Sequence, residues 1–145
     1  MTQPHLAIAA WESLYRAQVA VFRQIRADFP RGEVTISEYD VLLNLFQQPE
    51  HRARIRDLTP HLLLSQPSVS RMIERLAQRG LVERSGDPSD ARGTLVALTG
   101  RGLDVFRRIG SQHGAWLARR MSVLDDDELR QLAAITAKLR APWPG

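Results

Sequence analysis

Apolar residues return every third or fourth position along most of this chain, and the longest such run opens it. From Leu6 to about Asp28, the residues Trp11, Leu14, Val21, Phe22 and Ile25 fall on or near one face of a helix. Pro30, Arg31 and Gly32 end that helix. Ser37, with Asp40 three residues on, predicts a capping-box-like start. The helix that follows runs through Val41, Leu42, Leu45 and Phe46 to about Gln48 and stops before Pro49. A short helix begins near Arg54 and carries Ile55 and Leu58. Pro60, lacking a backbone donor, disturbs its end. Ser65 suits an N-cap, Pro67 a first turn and Gly80 a C-terminal cap, so Ser65 to Gly80 reads as a further helix.

The period then changes. Leu81–Arg84 and Thr94–Leu98 read as two short strands, and Ser85 to Gly93 between them is turn chemistry over too many residues for a tight hairpin. Thr99 caps a fifth, long helix to about Met121. Asp125 with Glu128 starts the last one, which Leu129, Leu132, Ile135 and Leu139 carry; Pro142 to Gly145 is a frayed tail. This order predicts a mainly α fold with a small β-wing: a winged helix-turn-helix between long terminal helices. One domain spans residues 1–145, with a winged lobe over 37–98 and outer helices over 1–32 and 99–145. A single core cannot bury every face of those outer helices, so both ends are expected to pack against a second copy as a two-fold dimer.

Composition narrows the classes. The 145 residues are 43% hydrophobic and 25% charged, which suits one ordinary core. The absence of cysteine excludes disulfides, thiolate metal sites and a cysteine nucleophile. No apolar run reaches the roughly 18 residues of a membrane span, and the first residues lack signal-peptide character, so a cytoplasmic location is expected. The net charge is +4, and all basic residues but Lys138 are arginine. Arginine-favouring codon usage explains that choice as well as any function does. The distribution says more: the first 51 residues carry four arginines against six acids, and the excess of positive charge lies after them. Such asymmetry is compatible with nucleic acid.

Helical spacing places Val69, Met72, Ile73, Leu76 and Ala77 on one buried stripe of the Ser65–Gly80 helix. Pro67, Arg71, Glu74, Arg75 and Gln78 then point away, with Ser68 and Ser70 on the flanks. A helix entering the major groove needs small residues near its N-terminus and arginines to reach guanine edges or phosphate. A solvated amphipathic helix shows the same pattern, so this face alone does not decide. A hairpin bearing Asp87, Asp90 and Arg92 follows at once, and an arginine on such a loop can enter a minor groove. The aspartates would repel phosphate; their expected role is to hold the arginine or the loop backbone.

The run from Ser65 to Arg84, SQPSVSRMIERLAQRGLVER, resembles the recognition helix and first wing strand of the multiple antibiotic resistance regulator (MarR) family. Asp87 to Gly102, DPSDARGTLVALTGRG, is similar to that family's wing and the start of its next helix, with Asp90-Ala91-Arg92 the most specific piece. The resemblance implies a homodimeric transcriptional regulator, commonly a repressor, joined through the first, fifth and sixth helices. It would bind double-stranded DNA at a pseudo-palindrome with half-sites roughly 34 Å apart. By position, Ser65, Gln66, Ser68, Ser70, Arg71 and Arg75 would face DNA, and Arg92 would be the wing contact with Asp90 supporting it. Three departures stand out. Leu63 occupies a turn position where a small residue is usual, Pro60 lies in the supporting helix, and Ala91 and Gly93 leave a common basic position of the wing empty.

Similar proteins often take a small aromatic or anionic effector between the dimer helices and the DNA-binding lobe. Trp11, Tyr15, Arg16, Tyr39 and Trp116 would border such a cleft, although ordinary packing accounts for each aromatic. No metal or other cofactor is expected: His5, His51, His61 and His113 are scattered, and Asp125 to Glu128 fit a helix start. An enzyme is not expected either, since no phosphate loop, nucleophile elbow or paired carboxylate occurs. The competing class is a winged helix that docks proteins and binds no specific DNA.

Overall fold

Thr35, two residues before the expected start, caps the second helix of the protein, and the reason is reach. Its hydroxyl accepts the Glu38 N–H at 3.2 Å, and the Glu38 carboxylate accepts the Thr35 N–H at 3.0 Å, a closed capping box. Asp40, the acid expected in that role, instead lies half-buried one turn on and accepts from the Asn44 side chain. The computed structural model describes residues 2–62 and 64–143. Leu63, and with it the expected departure in the helix-turn-helix turn, lies outside them.

The protein forms two compact units, Met1–Ile109 and Gly110–Gly145. In the first, α1 (Pro4–Asp28) leads to α2 (Ile36–Phe46) and a 3-10 turn (Pro49–His51). Then come β1 (Arg52–Arg54), α3 (Ile55–Leu58), a second 3-10 turn (Thr59–His61), α4 (Gln66–Gln78), β2 (Val82–Asp87), β3 (Asp90–Leu98) and the first half of α5 (Gly100–Met121). Pro60 sits in the first turn of its 3-10 segment, where no donor is needed. The core draws on α2, α3, α4, β2, β3 and the first half of α5: Val41, Leu42 and Leu45 of α2, Leu58 of α3, Val69, Ile73 and Leu76 of α4, Val82 of β2, Val96 of β3 and Val105 of α5. No residue of α1 is buried, and Trp11 of that helix is 61% exposed. The second unit holds the rest of α5 and α6 (Asp126–Arg140), which begins on the expected Asp125–Glu128 capping box. Leu132, Ile135 and Leu139 of α6 are exposed.

The sheet differs from expectation in two ways. It has three antiparallel strands in the order β1-β3-β2, with Arg52 opposite Ala97 and Val82 opposite Leu98. The extra strand escapes a hydrophobicity reading because it is Arg-Ala-Arg, with a single apolar residue. The hairpin is also tight. β2 and β3 run up to Asp87 opposite Asp90, leaving only Pro88 and Ser89 to turn, with an irregularity between Gly86 and Asp87. The polar stretch that reads as loop pairs as strand because backbone bonds, not apolar side chains, hold a projecting hairpin.

Two caps and a close backbone approach join α4, the wing and α5. Gly80 adopts φ 74°, and its N–H and that of Leu81 bond back to Ala77 and Leu76 at 3.0 Å each, closing α4 in a Schellman motif. Thr99 donates to the Gly80 carbonyl at 2.6 Å and accepts the Gly102 N–H at 3.0 Å. Gly102 lies so close to the chain leaving α4 that a Cβ there would stand 1.9 Å from the Leu81 carbonyl oxygen. Gly102→Ala should therefore destabilise the protein by at least about 1–3 kcal/mol, the usual cost of overpacking. Denaturant unfolding of both proteins measures it, and equal midpoints would contradict the close approach.

Candidate nucleic-acid interface

α4 folds where it does because its apolar stripe fits the core and its ends are capped. Val69, Met72, Ile73 and Leu76 are buried as the spacing predicts, and Ala77 is half-buried. The opposite face is left to solvent: Gln66, Pro67, Arg71, Glu74, Arg75 and Gln78 are all exposed. Ser65 is the N-cap, accepting the Ser68 N–H at 3.4 Å and donating to the Ser68 hydroxyl at 3.0 Å. Arg71 donates to that same hydroxyl at 3.2 Å, which lays its guanidinium along the N-terminal half of the helix. Backbone donors at a helix N-terminus, two hydroxyls and two exposed arginines one turn apart form a surface suited to an anion with hydrogen-bonding edges.

Beside this face stands the wing. A cleft of about 340 Å³ lies between them, lined by Gln66 and Ser70 of α4, by Arg54, Ile55 and Arg56, and by Asp90, Arg92, Gly93 and Thr94 of β3. Gln66, Ser70, Asp90 and Arg92 from the expected set thus share one cleft, while Arg71 and Arg75 lie on the outer face of α4. Arg92 is exposed, and its guanidinium has no hydrogen bond or ion pair among the described residues. Asp90 holds the loop backbone: its Oδ1 accepts the Arg92 N–H at 3.0 Å, and its Oδ2 pairs with Arg56 at 3.1 Å. Asp87 is enclosed, its side chain only 3% exposed. Its Oδ1 accepts the Ser89 N–H at 2.9 Å and the Ser89 hydroxyl at 2.8 Å, and its Oδ2 pairs with the Arg54 Nε. Gly93 packs against it, where an added Cβ would lie 3.1 Å from the Asp87 Cβ. The position that looks like a missing basic residue is a glycine packed closely against the Asp87 side chain.

Arg54 and Arg56 were not among the residues singled out from the sequence. The alternation Arg52, Arg54, Arg56 is visible there, but its partners become apparent only once β1 is seen to pair with β3.

The residues expected to border an effector cleft take different places. Trp11 and Tyr15 are exposed on α1 with ring centroids 6.0 Å apart, and Arg16 is exposed next to them. Tyr39 is a core residue, 5.5 Å from both Phe29 and Phe106, and burial and the nearby Asp40 charge raise its pKa. In the second unit, Trp116 stacks on His113 at 6.3 Å. Among the described residues, no helix is long and apolar enough to cross a membrane, and no cluster of three His, Asp or Glu could hold a metal.

Residues 34–94 match the model of the MarR family. An uncharacterised HTH-type transcriptional regulator of Mycobacterium leprae is 28% identical over 131 residues, covering 85% of this chain and 87% of that one. AbsC, a MarR family transcriptional regulator from Streptomyces coelicolor, superposes with TM-score 0.78 at 26% identity over 98% of this chain and 99% of its own. BpsR of Bordetella bronchiseptica, whose DNA binding is regulated by 6-hydroxynicotinic acid, gives TM-score 0.70 at 25% identity, with 92% and 98% covered.

The enclosed carboxylate makes a pH prediction. The Ser89 N–H and hydroxyl, then Arg54, hold the Asp87 pKa below the usual carboxylate range against the opposing effect of burial. A depressed pKa adds stability above the unfolded value that is lost only as pH falls through the folded one. Asp87→Asn should thus be less stable than the parent by a constant margin from neutral pH to about pH 4, shrinking below that. Thermal unfolding across that range measures it; a margin that grows in acid would contradict the assignment.

Proposed function

We propose that this chain, whose residues 34–94 match the model of the MarR family, is a transcriptional repressor of that family that binds a pseudo-palindromic operator as a homodimer. The observation that carries this reading is the pairing of the exposed face of α4 with an arginine-tipped wing. Arg71 and Arg75 lie on that face, and Arg92 on the hairpin keeps an uncommitted guanidinium. In this reading α4 enters the major groove, where Arg71 reads a base and Gln66, Ser68, Ser70 and Arg75 contact bases or phosphates. Arg92 enters the flanking minor groove, where narrowed tracts concentrate negative potential. A protein seated across an operator in this way denies the same DNA to the transcription machinery.

Dimerisation supplies the second half-site, roughly 34 Å away. It also covers apolar surface that the single chain leaves in water: Leu6, Ile8 and Trp11 on α1, and Ile135 and Leu139 on α6. Residues 1–32 and 99–145 would serve this contact, and 37–98 the DNA. A small aromatic anion, of the class that regulates BpsR, is the expected effector; Trp11, Tyr15 and Arg16 on the exposed side of α1 have the planar faces and the charge to meet one.

The test is selection of genomic fragments with the purified protein, followed by fluorescence anisotropy across a salt series. A palindromic fragment bound tightly and released by salt is expected. Arg71→Ala should weaken that binding by about 1–3 kcal/mol and relax the preference at one base pair. Arg92→Ala should weaken it and lower the salt slope by about 1. No enrichment of any fragment, or full affinity in both variants, would overturn the reading.

A further inference from the structure

We propose that Arg54 and Arg56 are positioning residues that fix the wing as a rigid hairpin, so that Arg92 is delivered to DNA from a braced rather than a mobile arm. The proposal rests on the wing reading above and adds to it the part that makes the wing work.

The geometry is a two-point clamp. The hairpin turns at Pro88 and Ser89, and the residues bracketing the turn are Asp87 and Asp90. Each carboxylate is taken by a different arginine of the lobe, spaced i, i+2 where β1 passes into α3. Arg54 pairs with Asp87 and donates to the Ser89 hydroxyl at 2.7 Å, so a single guanidinium holds both the last residue of β2 and the turn. Arg56 pairs with Asp90 at 3.1 Å on the other side. From Asp90 only one bond remains, to the N–H of Arg92 at 3.0 Å. The chain of contacts therefore runs from α3 to the backbone of the wing arginine in two steps.

Two features show that the clamp is more than surface charge. The Asp87 carboxylate is enclosed, so loss of its partner would leave a buried charge uncompensated, which costs far more than loss of an exposed pair. Gly93 packs closely over it, where an added Cβ would lie 3.1 Å from the Asp87 Cβ. The arginine fork also matters: Arg54 uses Nε for the carboxylate and Nη2 for the hydroxyl, which a lysine cannot do. By contrast, Arg92 is held at its backbone while its side chain stays uncommitted. Immobilising the hairpin before binding removes an ordering cost that a flexible arm would meet on contact with DNA.

Operator binding of four proteins across a salt series tests this: the parent, Arg56→Met, Arg92→Ala and the double variant. Arg56 is chosen because its pair is half-exposed and its loss spares the core; Arg54→Met serves as a second probe once its folding is verified. Arg56→Met should weaken operator binding by about two- to twelve-fold, the effect of freeing one side chain's worth of order. In the Arg92→Ala background the same change should add nothing, because a braced arm without its arginine has nothing to deliver. A loss that persists undiminished in that background, with the salt slope lower by about 1, would overturn the proposal in favour of a direct phosphate contact by Arg56. A loss for Arg92→Ala that Arg56→Met does not share at all would overturn the clamp alone. Unchanged binding by Arg92→Ala would overturn the wing reading and the clamp together.

Discussion

The carbonyl of Leu81 and the α-carbon of Gly102 touch, and the arrangement of the interface follows from that contact. Gly80 must turn left-handed to close α4, Leu81 must then be buried, and the next residue must already be in β2. Thr99, at the far end of the hairpin, returns to the Gly80 carbonyl and starts α5 in the same place. The end of α4, both roots of the wing and the start of α5 therefore share a volume that admits no side chain at position 102. Moving any one of them moves the others, so the angle between the exposed face of α4 and the wing is a property of this junction.

Charge completes what packing begins. Glu38 closes the cap of α2 and also pairs with Arg79 at 2.5 Å, tying the start of one helix to the end of α4. Arg101 donates to the Arg79 carbonyl at 3.2 Å, and Arg108 reaches Glu33 at 2.5 Å. The contacts through Arg79 lie at the C-terminal end of α4, while Arg54 and Arg56 pair with the wing beside its N-terminal half. The arginine richness of the chain thus divides into arginines that hold carboxylates of the protein and those, such as Arg75 and Arg92, left to solvent. Composition cannot make that division, because it depends on which acid lies within reach in space.

Helices and their faces were legible in the sequence because their signals are local. The stripe Val69, Met72, Ile73, Leu76 and the Asp125–Glu128 box can be read from residues within one or two turns of each other. The start of α2 was misplaced by two residues because Ser37–Asp40 and Thr35–Glu38 both have cap spacing, and only the longer glutamate closes the box. β1 was missed because a three-residue strand carries almost no pattern of its own and is defined by its partner. The same distance in sequence hid the clamp: Asp87 and Asp90 were visible as supports, but the arginines they serve lie more than thirty residues away. Gly93 read as an absence until its neighbour was known.

That separation also sets an order of assembly. Within the stretch from α4 to α5 the turns are local: the hairpin closes across two residues, and the Schellman turn across six. The edge strand β1 is different, since Arg52 must find Ala97 and Arg54 must find Leu95 across nearly the whole winged lobe. Closing so long a loop is entropically unfavourable until both ends are already shaped. The hairpin should thus form early and swing freely during folding, and the docking of β1 should be among the last steps in the maturation of the lobe. A nascent chain would acquire α4 before its wing is locked in place.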